Sequence, residues 1–160
     1  MKKQKIINIL ALCLITVTAY SGEYKVEDLP KPVLKVENGP DIGRTDKVLE
    51  GRYGRNWGKG GQLIFTFNLL ETDSLDVMAL MNDGKAVLVS YAASKQQDTT
   101  LGDEVIEFLV KKNFPKAKWK IHKDPRVLRI STKAFESDDG KYTWILRKDR
   151  KQLLLSVKKE

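Results

Sequence analysis

A short pattern occurs twice in this chain, and it limits the available folds more than any other feature. Thr45-Asp46-Lys47-Val48-Leu49-Glu50 aligns with Gly102-Asp103-Glu104-Val105-Ile106-Glu107 at a shift of 57 positions, and the same shift sets Asn56-Trp57 on Asn113-Phe114. At a shift of 56, Asp83-Gly84-Lys85 falls on Asp139-Gly140-Lys141. A helix start, an Asn-aromatic exit and a hairpin turn, repeated in one order, predict two tandem units, each a helix followed by antiparallel strands.

Local signals supply the elements. Residues 45–54 read as a helix with Thr45 as N-cap, Val48, Leu49 and Tyr53 on its apolar side, and Gly54 closing it. Strand-like runs follow at Leu63–Phe67, Asp76–Met81 and Lys85–Ala92, with Asn82-Asp83-Gly84 turning the last two into a hairpin. The second helix is stronger. Thr100-Leu101-Gly102-Asp103 resembles a capping box, Val105, Phe108 and Leu109 recur at helical spacing, Lys111 and Lys112 suit the negative end of the dipole, and Pro115 ends it. Further strands are predicted at Lys118–His122, Val127–Thr132, Tyr142–Arg147 and Leu153–Val157, with Trp119 and Trp144 directed into the core. The fold class is therefore α+β: two tandem helix-plus-antiparallel-sheet units, 42–97 and 98–160, the second with an extra C-terminal strand.

The segments ahead of the units concern address rather than fold. Lys2, Lys3 and Lys5 precede an apolar run from Ile6 to Ala19 and the small residues Ala19 and Ser21, the layout of an export signal over 1–21. The run is short for a permanent span, which needs about 20 residues, so cleavage after Ser21 is preferred to a retained anchor. Cys13 does not sit in a lipidation box, since Leu12 is large and the following residues stay apolar. Residues 22–41 carry Pro30, Pro32 and Pro40 without periodicity and read as an extended arm. Removal of the signal leaves 139 of the 160 residues, with no cysteine and with 26 basic residues against 21 acidic ones. Disulfides, thiolate metal sites and cysteine nucleophiles are thereby excluded, and packing alone must hold the fold. The mature product is expected to be periplasmic or extracellular, with no stable membrane span, and its moderate positive charge favours acidic partners.

Gly43-Arg44-Thr45, followed by Leu49, Tyr53 and Gly54, resembles the SmpA/OmlA family of outer-membrane assembly lipoproteins, and the general layout is similar to the tandem β-lactamase-inhibitor-protein fold. About a dozen residues of each unit carry the resemblance. The chain departs from the family pattern at Asn56, where a proline is usual, and at Lys111, where a glycine is usual. The resemblance implies an exported protein-binding or scaffolding module and names no partner.

Catalytic chemistry finds little purchase. His122 is the single histidine, which leaves no pair for a metal or a relay, and no serine occupies a nucleophile elbow. Glu71, Asp73 and Asp76, and separately Asp138 and Asp139, could in principle pair as hydrolase carboxylates, but both sets fall at predicted turns, where aspartate binds backbone amides. No catalytic residue, metal or cofactor is expected. The distinctive stretch is the glycine-rich loop from Gly51 to Gly61, where Arg52, Arg55, Trp57 and Lys59 could meet an anion or a ring. The plainer reading makes it a connection with Trp57 packed into the core. Arg147, Lys148, Arg150 and Lys151 form a second basic group near the C-terminus, alongside Lys158 and Lys159. The expected function is binding of an envelope or extracellular protein through the sheet surface. The alternatives are binding of an anionic glycan or lipid headgroup through the two basic groups, and a carboxylate-based hydrolase. Nucleic acid is not an expected partner.

Overall fold

The structure is a computed structural model of the 160-residue chain and describes residues 22–69, 73–94 and 98–158. Residues 1–21, expected to be an export signal and containing Cys13, lie outside the described residues, as do Glu71 and Lys159. The fold is α+β. Strand β1 (Glu23–Tyr24) and helix α1 (Lys31–Leu34) precede helix α2 (Asp46–Tyr53) and strands β2 (Gln62–Asn68), β3 (Ser74–Asn82) and β4 (Lys85–Ala93). Strand β5 (Thr100–Leu101), helix α3 (Asp103–Asn113), strand β6 (Trp119–Ile121), helix α4 (Pro125–Ile130) and strands β7 (Ser131–Ser137), β8 (Tyr142–Arg147) and β9 (Gln152–Val157) complete the order. Seven strands form one antiparallel sheet in the order β2-β3-β4-β9-β8-β7-β6, and β1 pairs in parallel with β5.

The 57-residue shift carries over to element starts. Residues 46, 62, 74 and 85, which open α2, β2, β3 and β4, become 103, 119, 131 and 142, which open α3, β6, β7 and β8. Strand β9 joins the two halves, pairing with β8 on one side and with β4 on the other. Leu49 and Tyr53 of α2 and Val105, Ile106 and Leu109 of α3 bury against Phe65, Val77, Val89, Tyr91, Leu153 and Leu155 in one shared core.

The helix ends follow local chemistry. Thr45 Oγ1 accepts from the Val48 N–H at 3.4 Å, and Gly54, at φ +90°, ends α2 in a conformation that side chains resist. Asp83 and Gly84 both take positive φ, as the two-residue β3–β4 turn demands.

Three expectations are corrected. Thr100 and Leu101 form β5 and leave Gly102 at the N-cap of α3 without a side-chain cap, so no capping box forms. The strand expected over Val127–Thr132 is instead α4, because Asp124 caps it by accepting from Arg126 N–H at 2.9 Å and Pro125 suits a first helical turn; strand structure starts only at Ser131. Segment 22–41 is not an extended arm. Tyr24, Leu29 and Val33 are buried in the core, and short helical turns at Val26–Asp28 and Val36–Asn38 fold it onto the body. Its three prolines shape turns on a surface that apolar side chains anchor.

Candidate functional site

A half-solvated antiparallel sheet should alternate apolar and polar residues, yet several strands here are apolar on both faces: Leu63-Ile64-Phe65, Val87-Leu88-Val89 and Leu153-Leu154-Leu155. One set of alternate residues enters the core beneath α2 and α3. The other set faces away from it. The register carries one row across six strands: Ile64 opposite Met78, Met78 opposite Ser90, Ser90 opposite Leu154, Leu154 opposite Ile145, and Ile145 opposite Ala134. Leu80 and Leu88 extend this surface as a neighbouring pair. Ile64, Met78, Leu88, Ile145 and Leu154 are half-buried, Leu80 is exposed, and none belongs to the helix-covered core. The row is aliphatic apart from the buried Ser90, whose hydroxyl accepts from Gln152 Nε2 at 2.8 Å, and it makes this face of the sheet a candidate contact surface. At one end it meets a polar depression of about 470 Å³ lined in part by Ser74, Asp76, Arg147, Lys151 and Gln152.

The glycine-rich loop lies along the free edge of β2. Asn56 Oδ1 accepts from Gly58 N–H at 2.7 Å and from Ile64 N–H at 3.0 Å, and Trp57 N–H donates to the Ile64 carbonyl at 2.9 Å. Gly58 is required by space, since a Cβ there would stand 2.0 Å from the Gln62 carbonyl oxygen. The backbone is therefore fixed while Trp57 projects, 56 % exposed, with the Arg55 guanidinium 4.1 Å over its ring. This overturns the expectation that Trp57 packs into the core as Phe114 does. Hydrogen bonding to the sheet edge holds the loop outside the core.

Arg52 is removed from the binding set, because its side chain is buried against Asp41. Asp41 sits fully enclosed at the junction of the N-terminal segment, α2, β4 and α3. Its carboxylate pairs with Arg52, accepts from Tyr53 Oη at 2.6 Å and from Tyr91 Oη, and lies 3.9 Å from Lys112 Nζ. Arg52 also donates to the carbonyls of Asn38, Gly39 and Pro40, and Lys112 donates to the Val33 carbonyl at 2.7 Å. Asn113 Oδ1 accepts from the Asp41 and Ile42 amides at 2.9 and 3.2 Å. Two buried cations thus fasten segment 33–42 to the helices. Burial pulls the Lys112 ammonium below its ordinary pKa against the opposing pull of Asp41. Burial, then the Asp41 charge, pushes the Tyr53 and Tyr91 hydroxyls well up. The Asp41 carboxylate and the Lys112 ammonium are fully enclosed, so the cluster is a clasp, and only Arg52 borders a surface depression, shared with Lys31, Lys35 and Asn38.

The second basic group lies elsewhere. Arg147, Lys148, Arg150 and Lys151 surround the β8–β9 turn, at the opposite end of the strands from the 55–61 loop, so the fold does not bring the two groups together. Arg150 is further engaged with Asp103, at 2.7 Å, and with the Leu101 carbonyl. Arg147 and Lys148 are exposed. Of the carboxylate candidates, Asp139 serves its turn by accepting from Ser137 Oγ at 2.6 Å and Lys141 N–H at 3.1 Å. Asp73 lies by Tyr24, whose hydroxyl is pushed up to about 12, by burial first and then by the Asp73 charge. His122 Nδ1 accepts from Asp124 N–H at 3.2 Å. Among the described residues no group of three His, Cys, Asp or Glu side chains could hold a metal ion, and no helix is long and apolar enough to cross a membrane.

Sequence reasoning missed the outward apolar face and the Asp41 clasp. The continuous apolar runs in three strands were the available signal for the first. No local signal marks the second, whose members are scattered from Val33 to Asn113. The chain matches no protein-family model and no curated protein. Among solved structures it is similar to a cysteine-rich secretory protein from Staphylococcus aureus subsp. aureus Mu50, at 11 % identity and a TM-score of 0.38. That likeness covers 75 % of this chain, which spans about half (48 %) of the other.

Proposed function

We propose that the protein is an exported, non-enzymatic binding or scaffolding module that holds another envelope or extracellular protein on the outward face of its sheet. The carrying observation is the apolar row of Ile64, Met78, Leu154 and Ile145, extended by Leu80 and Leu88. Large aliphatics on the solvent side of a sheet cost solubility unless something covers them. Hydrocarbon surface of this breadth suits a protein better than a sugar or a headgroup, which would need a denser set of polar partners. The signal-like start supports export, and the shift of 57 residues shared by four element starts supports two tandem units meeting at β4 and β9.

The test is site-specific photo-crosslinking in the native host, with the probe at Met78 or Leu154 and a control at the exposed Glu50 of α2. The expected result is a single protein adduct at the two sheet positions, stable in high salt and absent at Glu50. Equal labelling at all three positions would refute the reading, as would turnover of an envelope substrate by the purified protein alone.

A second reading draws on the exposed Trp57 with Arg55 stacked above it and Lys59 nearby, a platform suited to an anionic glycan or headgroup. It predicts retention on a polyanion matrix that falls steeply with salt and is weakened by Arg55→Ala and Lys59→Ala.

A further inference from the structure

The two edges of the sheet are treated differently. Along β2, Asn56 and Trp57 occupy the outward main-chain groups of Ile64. At the shift of 57, Asn113 stands where Asn56 does, but its side chain serves the Asp41 and Ile42 amides instead. Strand β6, at the other end of the sheet, is left without such a cover among the described residues.

The register identifies the bare groups. The Lys118 carbonyl accepts from Asp138, Lys120 stands opposite Glu136, and His122 N–H donates to Ala134, so these residues turn their main chain toward β7. The amides and carbonyls of Trp119 and Ile121 then point away from the sheet. Side chains alternate along the same run, Lys116-Ala117-Lys118-Trp119-Lys120-Ile121-His122-Lys123. Lys118, Lys120 and His122 fall on one face, and Ala117, Trp119 and Ile121 fall on the helix side. Ile121 is 67 % exposed. On the same side a cleft of about 510 Å³ is lined by Trp119, Trp144, Ile106, Val110 and Phe114, with charged side chains, Asp103 and Glu107 among them, completing the lining.

We infer that β6 is a strand-addition site for an extended segment of a partner protein in which acidic and apolar residues alternate. Paired beside β6, such a segment would bond the bare groups of Trp119 and Ile121. Its carboxylates would lie beside Lys118 and Lys120, and its apolar side chains would enter the cleft. Charge selects this occupant over a second copy of the chain, because two β6 edges meeting around a two-fold axis would place one lysine row against the other. Lys120 has a competing partner, Glu136 at 3.6 Å, in a half-open pair that an incoming carboxylate can share. The lysine side of the site continues the outward face at its far end, where His122 stands beside Ala134, but β6 lies three strands from Leu154 and five from Met78, so substitutions at those two positions leave it intact.

The experiment measures binding of a blocked synthetic peptide, EVEFEVE, by tryptophan fluorescence, against a composition-matched peptide with its four glutamates contiguous. The alternating peptide should bind at least fivefold more tightly. Ile121→Pro removes one outward N–H that β7 does not use, a substitution an edge strand tolerates, and should weaken binding at least tenfold with an unchanged circular dichroism spectrum. Lys118→Glu with Lys120→Glu should move the preference to KVKFKVK. Equal affinity for the alternating and contiguous peptides would overturn the inference in favour of simple attraction of polyanions. So would affinity unaltered by Ile121→Pro, or no binding at all. Dimerisation of the peptide-free protein that Ile121→Pro abolishes would overturn it in favour of pairing between copies.

Discussion

Replacing Asp41 by asparagine keeps the size and one acceptor of this side chain and removes its charge. In the folded protein that charge balances Arg52 and Lys112, both buried, and receives hydroxyl hydrogen bonds from Tyr53 and Tyr91. Hydrogen bonds to a charged group contribute about 1.5–3 kcal/mol and those to a neutral one about 0.5–1.5, so three weakened bonds amount to roughly 3 kcal/mol. Two enclosed cations without a counter-charge add to this, and breaking buried pairs typically costs about 3–5 kcal/mol. Urea unfolding of residues 22–160, followed by tryptophan emission, should show the loss directly. With an m value of about 2 kcal/mol/M the midpoint falls by roughly 1.5–2.5 M. Adding Lys112→Met removes one orphaned cation and should recover at least about 1 kcal/mol, within the usual range for coupled neighbours. A loss below about 1 kcal/mol for Asp41→Asn, or no recovery in the double variant, would refute the claim that this carboxylate holds the two cations in place.

Three further outcomes follow from the same geometry. Tyr53 and Tyr91 are raised above their ordinary 10.0, so the stability they contribute is whole below about pH 10 and drains away above it as the unfolded chain ionises; Lys112, lowered from 10.5, acts in the opposite sense but is one group against two. An ultraviolet tyrosinate titration should show these two hydroxyls ionising only together with alkaline unfolding, and separate, reversible ionisation in the native protein would contradict this. Gly58→Ala drives a Cβ into the Gln62 carbonyl, so it should cost about 1–3 kcal/mol in urea unfolding and release the loop that displays Trp57. Trp57→Ala should change stability by less than about 0.5 kcal/mol while removing most iodide-quenchable fluorescence, which a buried Trp57 would not do.

What the sequence determined by itself is local. Thr45 and Gly54 bound α2, Asp83-Gly84 turns β3 into β4, and the periodicity of Val105, Phe108 and Leu109 marks α3, because caps, turns and helical faces depend on residues a few positions apart. The 57-residue shift was legible for the same reason. Where local signals conflict, the sequence misled: Val127–Ile130 has strand-like composition, and a proline and a capping aspartate next to it decide for a helix. The tertiary structure alone decided what each charge and each ring is for. Arg52 and Arg55 are three residues apart in one loop-like stretch, yet one is buried against Asp41 and the other is stacked on an exposed tryptophan. That difference depends on where segment 33–42 folds back, a contact between residues distant in sequence. The period of a strand tells which residues share a face but not which face is covered. The outward aliphatic row and the bare edge of β6 emerged only once β9 had joined β4 to β8 and the helices had taken the other side.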